Sequence, residues 1–472
     1  MRVPRILLLS LLAACTTTPA AGPAPAATNG SAVASAAPAA APDVLRARAN
    51  LLFERALADN RAHATLASLL AAAPNRLTGS KGYDDAVAWS LEYMRAIGLV
   101  NVRAETFPVP CWVRGTETAA MLAGDAETPL RVTALGGSVG TAEGGITAEV
   151  VEVRTFEQLR RMGDAARGKI VFFNRPMPRA LMRTGQAYGE AVPQRSNGAI
   201  EAGKVGAVGA IVRSMTTTID GNPHTGAMNY DPAVPAVPAA AIATADADLL
   251  SRALAAGPVK VRIELGCRML PDVPGANVVG EIPGTERPDE IVVVGGHLDA
   301  WDLGTGAHDD GAGCVHALEA ARLLLQSGWS PRRTIRIVLF ANEENGLRGA
   351  TNYDAMHAHE RHVAALESDA GGFLPEGFTC SLSGEAAEPY ARLLAPLKEL
   401  GMGAFATGGG GGADIAPLGK RGTVLFGLLV AGHRYFDYHH STLDRLEAVN
   451  ERELALGSAA VAYAASVLAD GP

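Results

Sequence analysis

Residues 291–326 read IVVVGGHLDAWDLGTGAHDDGAGCVHALEAARLLLQ, and this stretch decides the fold. Ile291–Val294 is an unbroken apolar run, as expected of a strand buried on both faces of a sheet. Two glycines close it, a polar loop follows, and a helix is expected over about Gly313–Gln326. Strand, loop and helix in that order form the repeating unit of an α/β sheet, whose strand ends gather ligand chemistry. In the loop, His297 and Asp299 are two residues apart and can point to the same side. Alone, His-x-Asp after a strand is more often a loop hydrogen bond than a metal ligand with a carboxylate partner behind it. Asp309 and Asp310 likewise read as a helix cap or as a carboxylate shared between two cations.

The same grammar continues downstream. The run Thr334–Phe340 is a second buried strand, and it delivers Ala341-Asn342-Glu343-Glu344-Asn345-Gly346. If a metal is near, such a pair divides its roles: one carboxylate binds the ion, and the other takes a proton from water. Leu366–Gly372 places Asp369 in a glycine-rich loop, and Tyr435–Thr442 supplies His439 and His440. Helices are expected at about 386–400 and 451–468. Upstream, apolar residues recur at helical spacing from Asp43 to about Ala73, and a second helix covers Gly82–Ile97. Between Cys111 and Gly266 the texture changes to short β-like runs, at 146–153, 169–173, 207–212 and 259–265, with a helix at 199–205. The chain therefore divides into 43–110 and 267–472, parts of one domain, with a β-rich domain at 111–266 inserted between them.

With 472 residues, 48% of them hydrophobic, the chain has ample core material, and a net charge of −8 without a long Lys/Arg run argues against nucleic acid as partner. Arg2 and Arg5 precede the apolar run 6–14, a signal-peptide pattern too short to span a bilayer. It ends in Leu12-Ala13-Ala14-Cys15, which resembles a bacterial lipoprotein signal. Residues 16–42, nearly all Ala, Pro, Thr, Ser and Gly, then read as a flexible tether. The expectation is export, with lipid anchoring through Cys15 facing the periplasm or exterior, or otherwise a periplasmic or secreted protein. Cys111 and Cys267 stand at the two ends of the inserted segment, and a disulfide between them is expected; Cys314 and Cys380 read as buried thiols.

Taken together, GGHLD, DDGAG, EENG, ESDAGG and HHST resemble, in order and spacing, the two-zinc aminopeptidase/glutamate carboxypeptidase family of metallopeptidases. The likeness extends to WVRG from Trp112, GITAEV from Gly145, RGKIVFFN from Arg167 and HTG from His224. It implies a zinc-exopeptidase-like mixed α/β sheet flanked by helices, with a protease-associated domain as the insertion. It also implies two Zn2+ per chain, one held by His297 and Asp369, the other by Glu344 and His440, with Asp309 bridging. Glu343 is then the general base and Asp299 the partner of His297. Gly412, Asp414 and Tyr435 would border the substrate, a dipeptide or short peptide, and the protein would be a homodimer. The resemblance further implies a cis peptide bond between Asp309 and Asp310. The chain departs from the family at Asp444-Arg445, where Asp-Thr is usual. A non-catalytic receptor on this architecture predicts broken ligand positions, and a glutaminyl-cyclase-like acyltransferase lacks the insertion.

Overall fold

Ile291–Val294 is the middle of a longer strand, Arg287–His297, buried from residue 291 to its end. In the computed structural model, which describes residues 41–471, it lies inside an eight-stranded mixed sheet. The signal segment, the lipidation site Cys15 and all but the last two residues of the 16–42 tether lie outside the described residues. Arg287–His297 pairs in parallel with Arg333–Phe340 on one side and Arg361–Glu367 on the other, and Val424–Val430 continues the parallel run. Antiparallel strands flank this centre, Arg268–Ile282 and Val100–Val113 at one edge, Pro375–Cys380 towards the other.

The alternation along the central strand shows why it must be wholly apolar. Val292 and Val294 pack against the helices Pro42–Asp59, Arg61–Ala72, Ala312–Ser327 and Glu451–Asp470, whereas Val293 packs with Val338, Tyr353, Ile415 and Leu418 on the opposite face. Glu451–Asp470 is long and apolar enough to cross a membrane, yet almost all of it is buried against this sheet. The helix expected over 43–73 is broken at Asn60, whose left-handed backbone (φ 41°) lets the chain turn between two helices. The helix expected at 386–400 is one α-helical stretch, Glu388–Leu394, continued by a tighter turn from Ala395. Pro396 has no N–H to extend the ladder there.

Residues 117–265 build a second eight-stranded sheet, and its architecture differs from the β-rich segment expected. Ile146–Val153, Ile170–Phe173, Gly209–Arg213 and Ala239–Ile242 run parallel. Helices Phe156–Met162 and Pro193–Lys204 cover one face, and Thr244–Ala256 covers the other. Short strands and many glycines hid the helical connections that a parallel order requires.

The expected disulfide is absent: Cys111 and Cys267 are both buried free thiols. Register explains it. Cys111 lies opposite Leu270, and pairing continues through Val113 opposite Arg268. Cys267 is thus three residues further along, about 10 Å at strand rise, beyond the roughly 7 Å between Cα atoms that a disulfide spans. Cys111 Sγ donates instead to Gly79 O at 3.3 Å. Cys314 and Cys380 are buried thiols, as expected.

Candidate active site

Three parallel strands end on the same side and bring their polar residues to one crevice. His297 closes the first, Glu343 and Glu344 follow the second, and Asp369 follows the third. His297 Nδ1–H donates to Asp299 O at 2.9 Å, which turns Nε2 towards Asp309 Oδ1 (3.3 Å) and Asp369 Oδ1 (3.6 Å). On the other side of Asp309, Oδ2 lies 3.2 Å from His440 Nε2, and that nitrogen lies 3.0 Å from Glu344 Oε2. The five residues singled out as metal ligands are therefore brought together around the one carboxylate of Asp309. His439 joins them at 3.8 Å from Asp309 Oδ2, its ring stacked on that of His440. Asp299 meets His297 through its backbone carbonyl, and its carboxylate Oδ1, 3.8 Å from the same Nδ1, accepts from Glu343 N at 3.1 Å and so ties two strand ends together.

Asp309 and Asp310 divide the two readings their sequence allowed. Asp310 is the capping residue, accepting from Gly313 N (2.9 Å) and from His297 N (3.1 Å). A Cβ at Gly296 or Gly313 would overlap its carboxylate, so both positions require glycine. Asp309 faces the crevice, and the peptide bond between the two is cis. Asp444 accepts from the backbone N–H groups of His308 and Asp309 at 2.7 and 3.1 Å, so the loop after His440 keeps its anchor although Arg445 follows.

Behind the crevice lies a residue without any sequence signal. Arg76 is fully buried, and its guanidinium donates to the carbonyls of Leu298 (2.6 Å), Thr305 and Gly306 (2.7 Å), spanning the loop between His297 and Asp309. Two residues on, Thr78 Oγ1 accepts from Asn342 N at 2.9 Å, beside the Glu343–Glu344 pair.

The electrostatics are those of a site crowded with negative charge. Burial alone would depress the His297 and His440 imidazoles, but the carboxylates around them prevail: His297 is raised well above the usual histidine value and His440 to about 9. Burial pushes the Glu343 and Glu344 carboxyls up, with neighbouring acids adding to it. Asp309 is held well below the usual carboxylate range because its imidazole contacts outweigh its burial. Asp309 Oδ2 and Glu344 Oε1 are buried without a hydrogen-bond partner among the described residues. Beside them is a void of about 10 Å3, room for one water-sized particle, lined by Trp301, Gly306 and His440 among others. Imidazole and carboxylate donors with buried lone pairs left over suit a divalent cation of the zinc type.

The three residues expected at the substrate separate. Tyr435 packs against His439 at the crevice (ring centroids 5.2 Å). Asp414 is buried, both its oxygens without hydrogen-bond partners among the described residues, and next to it Glu367 accepts from Ile415 N. Gly412 passes over Glu367 so closely that a Cβ would overlap that carboxylate.

The second domain segment also contributes residues to which the sequence reading gave no role at the site. His224 Nδ1–H donates to His439 O at 2.7 Å, and Thr225 N donates to His440 O at 2.9 Å. Arg195, buried and lying over the ring of Tyr188, places Nη1 3.5 Å from His440 Nδ1. It pairs with no carboxylate among the described residues, and its Nε has no hydrogen-bond partner. HTG at 224 was noted for its likeness alone; nothing around Arg195 distinguished it from a surface arginine.

A profile described as Peptidase family M28 matches residues 277–465. Carboxypeptidase Q of Mus musculus is 36% identical over 414 residues, covering 87% of this chain and 86% of that protein. Its Homo sapiens counterpart is 35% identical over 431 residues, covering 91% and 89%. The crystal structure of a peptidase M28 precursor from Shewanella amazonensis SB2B superposes with a TM-score of 0.87 at 36% identity, covering 91% of this chain and 97% of that one. A zinc aminopeptidase of Bacillus subtilis shares the fold at 19% identity (TM-score 0.62, 86% and 93% covered).

Proposed function

The chain belongs to peptidase family M28, and from that premise we propose that it is a zinc-dependent exopeptidase acting on dipeptides or short peptides through a two-metal site. The observation that carries this reading is Asp309, whose two oxygens each face a different imidazole, His297 at 3.3 Å and His440 at 3.2 Å. His297 and Asp369 would hold one cation and Glu344 and His440 the other, with Asp309 between them. His440 is preferred over His439 because it also reaches Glu344. Two bound divalent cations would acidify a water molecule and polarise the substrate carbonyl. Asp309, Glu344 and Asp369 supply three negative charges against four positive ones.

The protein's own groups account for the rest. Glu343, beside this cluster with its carboxyl raised by burial, takes the proton of the attacking water and returns it to the departing amine. Asp299 holds the backbone of Glu343 and the ring of His297 in one frame. Arg195 offers a buried guanidinium at the crevice, suited to the free carboxylate of a short peptide. The second sheet, read as a protease-associated domain, holds the His439–His440 backbone through His224 and Thr225.

The test is a dipeptide panel assayed before and after chelation. Hydrolysis should vanish with chelator, return with zinc, and titrate to two ions per chain. Undiminished hydrolysis in metal-free protein would end the proposal.

A further inference from the structure

The second sheet has a crevice of its own. Ile146–Val153, Ile170–Phe173 and Gly209–Arg213 are adjacent and parallel, so their carboxyl ends open on one side. Arg154 and Asn174 directly follow the first two, and Arg213 ends the third. The helix Thr244–Ala256 closes the space with Asp248, Ser251 and Arg252. The resulting cavity measures about 340 Å3, within the range of small-molecule sites. In α/β sheets with helices on both faces, this is the position at which ligands bind.

Its floor is already organised. Arg213, buried, donates to Asp248 Oδ1 (2.6 Å) and Asn174 Oδ1 (3.3 Å). Glu152 accepts from Asn174 Nδ2 and from Ser251 Oγ at 2.7 and 2.8 Å. The two acids are thereby engaged, while Arg154 and Arg252 at the rim form no side-chain hydrogen bond or ion pair among the described residues. Three guanidiniums, Arg154, Arg213 and Arg252, against the carboxylates of Asp248 and Glu152 leave the cavity net cationic, with planar donors at the rim that match an oxyanion.

We infer that this cavity is a second binding site, separate from the metal cluster, for a small ligand carrying a carboxylate or phosphate group. Both groups present the oxyanion that a guanidinium pair reads. The inference does not rest on the peptidase reading.

Calorimetric titration of the full chain with inorganic phosphate, and separately with succinate, tests it. Binding of phosphate alone identifies phosphate esters, binding of succinate alone identifies carboxylates, and binding of both supports the shared chemistry. Arg154 and Arg252 are exposed, so R154E/R252E should fold and keep its peptidase turnover while losing at least tenfold in affinity. N174D, which adds a charge to the floor at nearly constant shape, should weaken binding in the same direction. Wild-type protein that binds neither anion at millimolar concentration overturns the inference. So does equal binding by R154E/R252E, which would assign the anion to the metal cluster.

Discussion

Both sheets solve the same problem with opposite charge. In the first, parallel strands end in His297, Glu343–Glu344 and Asp369; in the second, they end in Arg154, Asn174 and Arg213. Parallel strands converge their ends on one side whatever the sequence, so topology alone creates each crevice. The two or three residues after each strand then set the sign of the field. Acids with imidazoles make the first crevice a place for cations, and guanidiniums make the second a place for anions. The difference lies also in what is left unsatisfied: buried carboxylate oxygens in one, free rim guanidiniums in the other.

The contrast can be broken most severely at Asp309. Asp309→Ala removes the carboxylate between the two imidazoles, and turnover and bound metal should disappear together; two tightly held ions in this variant, counted by elemental analysis, would refute the bridging role. Glu343→Gln should separate chemistry from charge. It should lower kcat about 10²–10⁴-fold, the usual worth of a general base, while two ions stay bound. Retained turnover would remove Glu343 from that role.

Arg195 carries a guanidinium into the acidic crevice, so it tests whether the charge rule has an exception by design. Arg195→Met should raise KM for dipeptides roughly tenfold or more, the scale of a lost charged hydrogen bond, and leave C-terminally amidated substrates little changed. Equal effects on both substrate types would show that Arg195 only supports His440.

The smallest effect belongs to the first sheet, at the start of the strand Arg361–Glu367. Burial, with Arg336 close by, depresses the His362 imidazole to about 4. Unfolded, it titrates near 6.5, so the unfolded chain binds the extra proton between those values. This contribution to stability is intact above about pH 6.5 and is lost as pH falls towards 4, by up to about 3 kcal/mol. Urea unfolding between pH 7 and 4.5 should show that slope, flattened in His362→Asn; parallel slopes for the two proteins would exclude His362 as its source.

The first crevice was legible in part because His297 and the Glu343–Glu344 pair each follow a strand whose apolar run is unmistakable. Asp309 at a helix start, Asp369 in a glycine-rich loop and His440 after a short helix were legible only through the order and spacing of the five motifs, and the structure gathers them with His297 and Glu344 within a few ångströms. The second sheet was less legible. Three of its four parallel strands were read as β-runs, but Ala239–Ile242 and the helices Phe156–Met162 and Thr244–Ala256 were not, so the parallel order stayed hidden. The disulfide failed for a related reason: the start and finish of an inserted segment constrain where the chain crosses, whereas register decides which Cα atoms face each other. Arg195 and Arg76 act across more than 200 residues, and no local pattern encodes a partner so distant.

Arg76 and Thr78 also bear on how this enzyme can be cut. The family profile begins at residue 277, yet the loop between His297 and Asp309 is tied by a guanidinium from residue 76, and the turn before Glu343 by the hydroxyl of Thr78. A fragment trimmed to the matched segment would carry every proposed metal ligand and still lack the clamp that spaces them. The smallest working unit must keep the stretch around residues 76–78, and so the chain on both sides of the second sheet.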